Sequence, residues 1–370
     1  MNYLGKKITY LFLKSLSFIA LIILFNGTDI CAQEKVVTNL LPKQELPGNG
    51  TLSDSNITYV GRWDKSDPQL FYSYWTGAYL RVDFTGTSIA IKLDSDVSLV
   101  VSIDGETPRE VQGQCGTTNL NISDLPEGRH TLLVGASGQN EEVAFLGLLL
   151  EPGKVTFPPK AKKLIEYIGD SITAGTGPEG TSAVNYAWNT AEELGCDHTQ
   201  IAFSGISLST DYGCLDKKIG MDSLYFNLKN YNHLDEIPTI PWDFSYIPDM
   251  IVIALGTNDK CGNADDNTVQ KKAFTFFTRL RNIYPTTEIA VMRPYNGSYE
   301  EPLATVVRDM NTSGNARIHY IDTSGWLTAD DFYDGIHPNL TGGAKIVKQL
   351  KPLLWSLLQN IPSKNIDQQK

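Results

Sequence analysis

The first half of the chain shows the alternation of apolar and polar residues that is typical of β-strands. Residues 79–84 and 88–93 alternate on either side of a Thr-Gly-Thr turn, and residues 97–103 lead into Asp-Gly, a strong hairpin signal. Further strand-like runs follow at 130–134 and 143–150, and no helical period of useful length appears among them. The pattern predicts an antiparallel β-sandwich of the jelly-roll type.

The pattern changes after residue 163, where apolar runs alternate with amphipathic segments. The runs predict strands at 164–168, 200–203, 250–255, 288–292 and 317–321. The amphipathic segments predict helices at 183–194, 269–283, 302–310 and 344–358. Strands of this kind form parallel sheets covered on both faces, so the second half is expected to be a three-layer α/β/α domain. The irregular stretch 211–245 is expected to shape a substrate rim or to include a short helix.

Several boundaries follow from these changes of pattern. Pro158 and Pro159 mark a linker at 156–162, between a β domain at 33–155 and an α/β domain at 163–360, with a tail at 361–370. Residues 1–32 combine lysines, a short apolar core and small residues before position 33, as in a cleavable signal peptide, so export is expected. A retained membrane anchor is less favoured because the apolar run is short. A lipid anchor through Cys31 is less favoured because Ile30 before it is bulky.

Composition narrows the class of protein further. The chain has 370 residues and a net charge of -11, which argues against a nucleic-acid binder. The cysteines outside residues 1–32 allow three pairings, and reduced core cysteines are an equal alternative. They are Cys115, Cys196, Cys214 and Cys261. No cluster of His and Cys indicates a metal, and we expect no cofactor.

Four short segments carry residues suited to one hydrolytic site. Ser171 ends an apolar run in Gly-Asp-Ser, and a serine hydroxyl needs a base such as His337 to become nucleophilic. Asp334 lies three residues before that histidine and can fix its tautomer. The N–H groups of Ser171 and Gly205 and the side-chain amide of Asn258 are candidate oxyanion donors. Each of these features alone is more often structural, for example as a turn or a helix cap.

Taken in order, these segments resemble the four sequence blocks of the SGNH (GDSL-type) hydrolases over residues 163–358. This resemblance implies Ser171 as nucleophile, His337 as base, and Gly205 and Asn258 as oxyanion donors. The β domain, with the segment 77–87, looks like the N-terminal jelly roll of carbohydrate esterase family 2. That family removes acetyl groups from xylan and glucomannan, and some of its members lack the aspartate and use a Ser-His pair, so the resemblance implies His337 but not necessarily Asp334. An acetylated polysaccharide or oligosaccharide is therefore the expected partner.

Other functional interpretations remain open. They are an esterase acting on lipid or peptidoglycan acetyl esters, and a carbohydrate-binding protein without catalysis. The G-x-G-x-x-G spacing at 175–180 is discounted as a dinucleotide site because it does not sit directly at the strand end. The G-x-S-x-G elbow of α/β-hydrolases is absent around Ser171.

Aromatic residues raise a further choice between binding and packing. They are concentrated between residues 63 and 79. The two interpretations of this segment are a sugar-stacking surface and a sandwich core, and the core is favoured. Trp242 and Trp326 are candidates for a stacking rim at the site, with packing again the more common role.

Overall fold

The computed structural model of the protein describes residues 45–122, 124–176, 185–236 and 238–361. The expected signal segment 1–32 and all but the first residue of the expected tail lie outside this range. Within the described residues, no helix is both long enough and apolar enough to span a bilayer.

The N-terminal part folds into two antiparallel sheets, as the alternation predicts. Its strands are β1 (Thr58–Val60), β2 (Asp64–Asp67), β3 (Leu70–Ser73), β4 (Tyr79–Gly86), β5 (Ile89–Leu93), β6 (Val97–Ile103), β7 (Arg109–Gly113), β8 (Gly116–Asn119), β9 (Gly128–Ala136), β10 (Val143–Leu150) and β11 (Thr156–Phe157). One sheet has the order β1-β4-β9-β6-β7, with β11 on β4, and the other has the order β2-β3-β10-β5-β8. The residues expected to begin the linker thus form β11 and belong to the first sheet.

The local sequence explains how β6 turns back on β7. Asp104 and Gly105 have φ values of 55° and 75°, and two consecutive positive φ values are what a type I′ hairpin turn requires. The inward residues of the N-terminal strands, such as Val82 and Phe84 of β4 and Leu99 of β6, are fully buried between the two sheets.

The C-terminal part is a parallel sheet flanked by helices. Its strands are β12 (Leu164–Gly169), β13 (Asp197–Ala202), β14 (Met250–Ala254), β15 (Glu288–Met292) and β16 (Ile318–Ile321), in the order β13-β12-β14-β15-β16. Its helices are α1 (Ser171–Ala174), α2 (Tyr186–Glu193), α3 (Met221–Leu224), α4 (Thr257–Cys261), α5 (Asp266–Ile283), α6 (Glu300–Thr312) and α7 (Leu340–Leu358). The short helix α3 lies in the irregular stretch, as expected. The central strands are buried on both faces because helices cover both sides of the sheet.

The two parts share a hydrophobic core. Tyr74 and Trp75 of the β domain belong to the same buried cluster as Ile168 and Ile253 of the parallel sheet. Arg62 is fully buried and donates to the carbonyl oxygens of Tyr225 and Asn227, both at 2.6 Å. Most of the aromatic residues at 63–79 therefore pack in the interior, as the core interpretation predicts.

Candidate active site

Ser171 lies where the interior strand β12 ends and the short helix α1 begins. Asp170 caps this helix, since its carboxylate accepts a hydrogen bond from Ile172 N–H at 3.0 Å. A Cβ atom on Gly169 would lie 2.0 Å from Thr173 Oγ1, so only glycine fits where the strand turns into the helix. The sharp turn presents the Ser171 side chain at the carboxyl edge of the sheet, where parallel α/β proteins bind their ligands.

His337 reaches Ser171 from the loop that precedes α7. Its Nε2 lies 2.8 Å from Ser171 Oγ, and its Nδ1 lies 2.7 Å from Asp334 Oδ2. An ionised carboxylate only accepts hydrogen bonds, so the proton is on Nδ1 and Nε2 is free to accept from the serine hydroxyl. Asp334 Oδ1 also accepts the backbone N–H groups of Ile336 and His337, at 2.9 and 2.8 Å, and this folds the loop back on itself.

The other two predicted segments follow the strands that flank β12. Gly205 comes after β13 and Asn258 comes after β14, and both strands pair directly with β12. The carboxyl ends of parallel strands meet at one edge, so the three segments lie side by side there. Gly205 has φ +79°, a left-handed conformation that glycine adopts without a steric penalty.

The candidate oxyanion donors differ in how they are held. Within the described residues, the backbone N–H groups of Ser171 and Gly205 donate no hydrogen bond to another protein group. Both residues are buried, and a buried N–H without a protein partner is available to a ligand or water. The Asn258 side-chain amide donates one hydrogen to Ile206 O at 2.9 Å, which fixes its orientation and leaves its second hydrogen available.

Two carboxylates near the site have opposite electrostatic environments. Burial raises the pKa of Asp170 to about 6, although the Ile172 N–H opposes this shift. Partial burial also disfavours the Asp334 anion, but hydrogen bonds from the His337 N–H and imidazole outweigh it and hold the pKa of Asp334 well below its usual value. Asp334 therefore stays ionised as the partner of the imidazole across neutral and mildly acidic pH.

Some residues that shape the site were not predicted as site residues. The buried carboxylate of Asp259 accepts the backbone N–H groups of Leu208 and Ser209, at 2.7 and 2.9 Å, so it anchors the chain after β13. Gln139 of the β domain accepts the Ser204 N–H at 2.8 Å, directly before Gly205. No sequence signal marks Gln139, because only the packing of the two domains brings it there.

The structure also decides among the open alternatives. Cys214 and Cys261 form a disulfide, while Cys115 and Cys196 are free. Trp242 is buried beside the Arg62 guanidinium, so it packs and does not form an exposed platform.

Trp326 is partly buried against the core cluster beneath α7. Gly175 ends α1 in a left-handed conformation, and the rest of the 175–180 spacing beyond Thr176 lies outside the described residues.

The arrangement has the parts that acyl transfer requires. A serine hydroxyl faces an imidazole nitrogen, and a carboxylate orients that imidazole. The segments that carry Gly205 and Asn258 follow the strands on either side of β12. Such a site can form an acyl-enzyme from an ester and can then hydrolyse it.

Comparisons with known proteins find matches to both domains. Residues 59–159 match the family described as carbohydrate esterase 2 N-terminal, and residues 167–345 match the GDSL-like lipase/acylhydrolase family. The cellulase/esterase CelE of Acetivibrio thermocellus is 30% identical over 333 residues, which cover 81% of this chain and 38% of that protein. An acetylxylan esterase/glucomannan deacetylase of Cellvibrio japonicus is 27% identical over 215 residues, which cover 53% of this chain and 58% of that protein. This chain therefore spans a minority of the length of the first relative and just over half of the second.

A solved structure extends the likeness to both domains. A family two carbohydrate esterase from Clostridium thermocellum, in complex with cellohexaose, has a TM-score of 0.72 and 28% identity, covering 82% of this chain and 99% of that one. The carbohydrate esterase 2 N-terminal match covers the two-sheet β domain. The GDSL-like match covers the parallel-sheet domain that follows it. The chain thus belongs to the GDSL-like hydrolases, in the two-domain form of the family 2 carbohydrate esterases.

Proposed function

We propose that this chain is an exported serine esterase that removes O-acetyl groups from plant polysaccharides of the xylan or glucomannan type. The observation that carries the proposal is the 2.8 Å separation between His337 Nε2 and Ser171 Oγ at the carboxyl edge of the sheet. The names of the relatives support acetylated plant polysaccharide as the substrate class. Export is supported by the signal-like residues 1–32 and by the Cys214–Cys261 disulfide, since disulfides persist in oxidising compartments.

The first half of the reaction forms an acetyl-enzyme. Ser171 Oγ attacks the acetyl carbonyl carbon while His337 Nε2 accepts the hydroxyl proton, and the Asp334 carboxylate stabilises the imidazolium. The negative charge on the carbonyl oxygen is met by the Ser171 and Gly205 N–H groups and the Asn258 amide. Each such donor contributes roughly 100- to 1,000-fold to the rate. The bond to the sugar oxygen then breaks, and His337 returns the proton to that oxygen.

The second half releases acetate. Water attacks the acetyl carbonyl carbon on Ser171 while His337 again accepts a proton. The intermediate then collapses to acetate as His337 returns that proton to Ser171 Oγ. One histidine thus serves as base and acid in turn, which requires Nε2 to reach both the serine oxygen and the leaving oxygen.

Ser171→Ala tests the proposal directly. Purified protein would be assayed on 4-nitrophenyl acetate and on acetylated xylan and glucomannan, with acetate release measured. We expect activity on all three, and its loss by at least about 1,000-fold in Ser171→Ala, because the nucleophile is removed. Ser313→Ala is the matched control, since this serine at the end of α6 is exposed and its hydroxyl donates to Asp309 O. Full activity in Ser171→Ala would refute the proposal.

The same protein distinguishes the two other functional classes. An esterase for lipids would prefer long-chain over acetyl esters of 4-nitrophenol. An esterase for peptidoglycan would release acetate from acetylated peptidoglycan faster than from xylan. A carbohydrate-binding protein without catalysis would migrate more slowly through a gel that contains polysaccharide and would hydrolyse no ester.

A further inference from the structure

The disulfide lies between the two segments that carry the proposed oxyanion donors. Cys214 ends the segment that begins at Gly205, and Cys261 ends helix α4, which contains Asn258. The two cysteines are 47 residues apart in sequence, and their Cα atoms are 5.6 Å apart in space. The covalent bond therefore joins the segment after β13 to the segment after β14, the two strands that pair with β12.

Each cysteine is also connected to one donor residue, Cys214 by a hydrogen bond to Gly205 and Cys261 by sharing helix α4 with Asn258. The Cys214 N–H donates to the carbonyl oxygen of Gly205 at 3.0 Å, so the segment closes back on the glycine peptide. Cys261 lies three residues after Asn258 in a helix of only five residues. A helix this short has little stability of its own and depends on tertiary contacts for its position.

Hydrogen bonds connect the same two segments nearer the ends of β13 and β14. The Asn258 amide donates to Ile206 O at 2.9 Å, and the Asp259 carboxylate accepts the N–H groups of Leu208 and Ser209. At the outer end the backbones pack closely, since a Cβ atom on Gly262 would lie 2.0 Å from Tyr212 O. The disulfide lies at this outer end and restrains the two segments against separation.

We propose that the Cys214–Cys261 disulfide is a positioning element of the oxyanion hole, and that its reduction slows turnover while leaving substrate binding largely intact. The inference rests on the proposed esterase function. Oxyanion donors act because they are held in place before the charge develops, and a donor that must be reoriented contributes less. Because the disulfide restrains the Gly205 and Asn258 segments relative to each other, its loss affects the transition state more than the ground state.

Reduction is chemically accessible at this position. Cys261 is exposed, so a dithiol such as dithiothreitol can attack its sulfur. The exchange breaks the S–S bond, forms two protein thiols and oxidises the dithiol to its cyclic disulfide, with two electrons and two protons transferred. Cys115 and Cys196 are already free, and burial raises the pKa of the Cys196 thiol to about 11, which keeps it protonated and unreactive.

The test compares the wild type with the Cys214→Ser/Cys261→Ser double variant and with Cys115→Ser, an exposed free cysteine, as control. Turnover of 4-nitrophenyl acetate would be measured at a temperature well below the thermal unfolding midpoint of each protein, and circular dichroism would confirm that each protein is folded. We expect kcat to fall about 10-fold in the double variant, a fraction of what one donor contributes, with KM within about two-fold. Treating the wild type with dithiothreitol should reproduce this fall, and treating the double variant should change nothing. If the double variant fails to fold, folded wild type reduced in place supplies the same measurement.

A double-mutant cycle with Asn258→Ala separates positioning from general stabilisation. If the disulfide acts through the donor, Asn258→Ala costs a smaller factor in kcat in the double-serine background than in the wild type. An unchanged kcat in the folded, reduced enzyme, or equal costs of Asn258→Ala in both backgrounds, would overturn the proposal. Absence of Ser171-dependent turnover in the oxidised wild type would instead refute the esterase function, and the positioning role with it.

Discussion

Acidification should destabilise this protein through His198, which lies in β13 beneath the β domain. Its side chain is fully buried beside the rings of Trp188 and Tyr79, with centroid distances of 4.4 and 5.1 Å. Neither ring nitrogen has a hydrogen-bond partner within the described residues. Burial, with a smaller contribution from the charge of Lys162, lowers the pKa of His198 to about 3.

The sign and size of the effect follow from proton linkage. The folded state binds the proton only near pH 3, whereas the unfolded chain binds it near ~6.5. The contribution of His198 to the free energy of unfolding is therefore complete above pH 6.5 and is lost as the pH falls toward 3. At pH 5 the unfolded histidine is mostly protonated and the folded one is neutral. At ~1.36 kcal/mol per pH unit, the loss at pH 5 is about 2 kcal/mol.

Urea unfolding of the wild type and His198→Phe at pH 8, 7, 6 and 5 measures this term. Phenylalanine keeps an aromatic ring against Trp188 and cannot titrate. We expect the two proteins to change in parallel between pH 8 and 7, and the wild type to lose about 2 kcal/mol more than the variant between pH 7 and 5. Parallel curves down to pH 5 would show that His198 binds its proton in the folded state and would refute the reasoning.

Three further predictions concern the site and the domain interface. Asp334→Asn should lower kcat on 4-nitrophenyl acetate by roughly 10- to 100-fold. This loss is smaller than the ~10⁴-fold loss at a fully buried triad aspartate, because the Asp334 carboxylate is 36% exposed. An unchanged kcat would show that Ser171 and His337 act as a pair without the carboxylate. Arg62→Met should lower the free energy of unfolding in urea by about 2–3 kcal/mol, because the carbonyl oxygens of Tyr225 and Asn227 lose their buried donor. The exposed Arg129→Met should cost under about 1 kcal/mol, and equal costs of the two substitutions would contradict this argument. Gln139→Ala should lower kcat/KM on the same substrate several-fold, because it removes the acceptor of the Ser204 N–H, next to the proposed oxyanion donor Gly205. Gln139→Glu should retain more activity because its carboxylate can still accept this hydrogen bond. Loss of stability without loss of kcat/KM would show that Gln139 contributes to packing alone.

Strand positions could be predicted closely because their signal is local. The predicted strands at 97–103, 143–150 and 288–292 coincide with β6, β10 and β15. Alternation and unbroken apolar runs are properties of neighbouring residues, and they reflect how many faces of a strand are buried. Helix starts were less accurate. Helix α7 begins at Leu340 and not at residue 344, because the Asn339 side chain caps Gly342 N–H in a first turn that lacks the apolar period.

The candidate site could be predicted as a set but not as a geometry. Ser171, Gly205 and Asn258 each follow a strand, and the carboxyl ends of parallel strands share an edge, so their proximity follows from strand order. The sequence cannot show that β13 and β14 both pair with β12, which is what puts donors on either side of the serine. Nor can it show that the loop of His337 brings Nε2 to 2.8 Å from Ser171 Oγ.

The sequence by itself determined the two-domain architecture and the residue types of the site. Only the tertiary structure decided which cysteines pair, that Trp75 and Trp242 are core residues, and that Gln139 reaches the neighbour of Gly205. The physical reason is the range of the signal. Periodicity and turn chemistry are set by residues a few positions apart, whereas a disulfide across 47 residues or a contact between two domains depends on how whole elements pack.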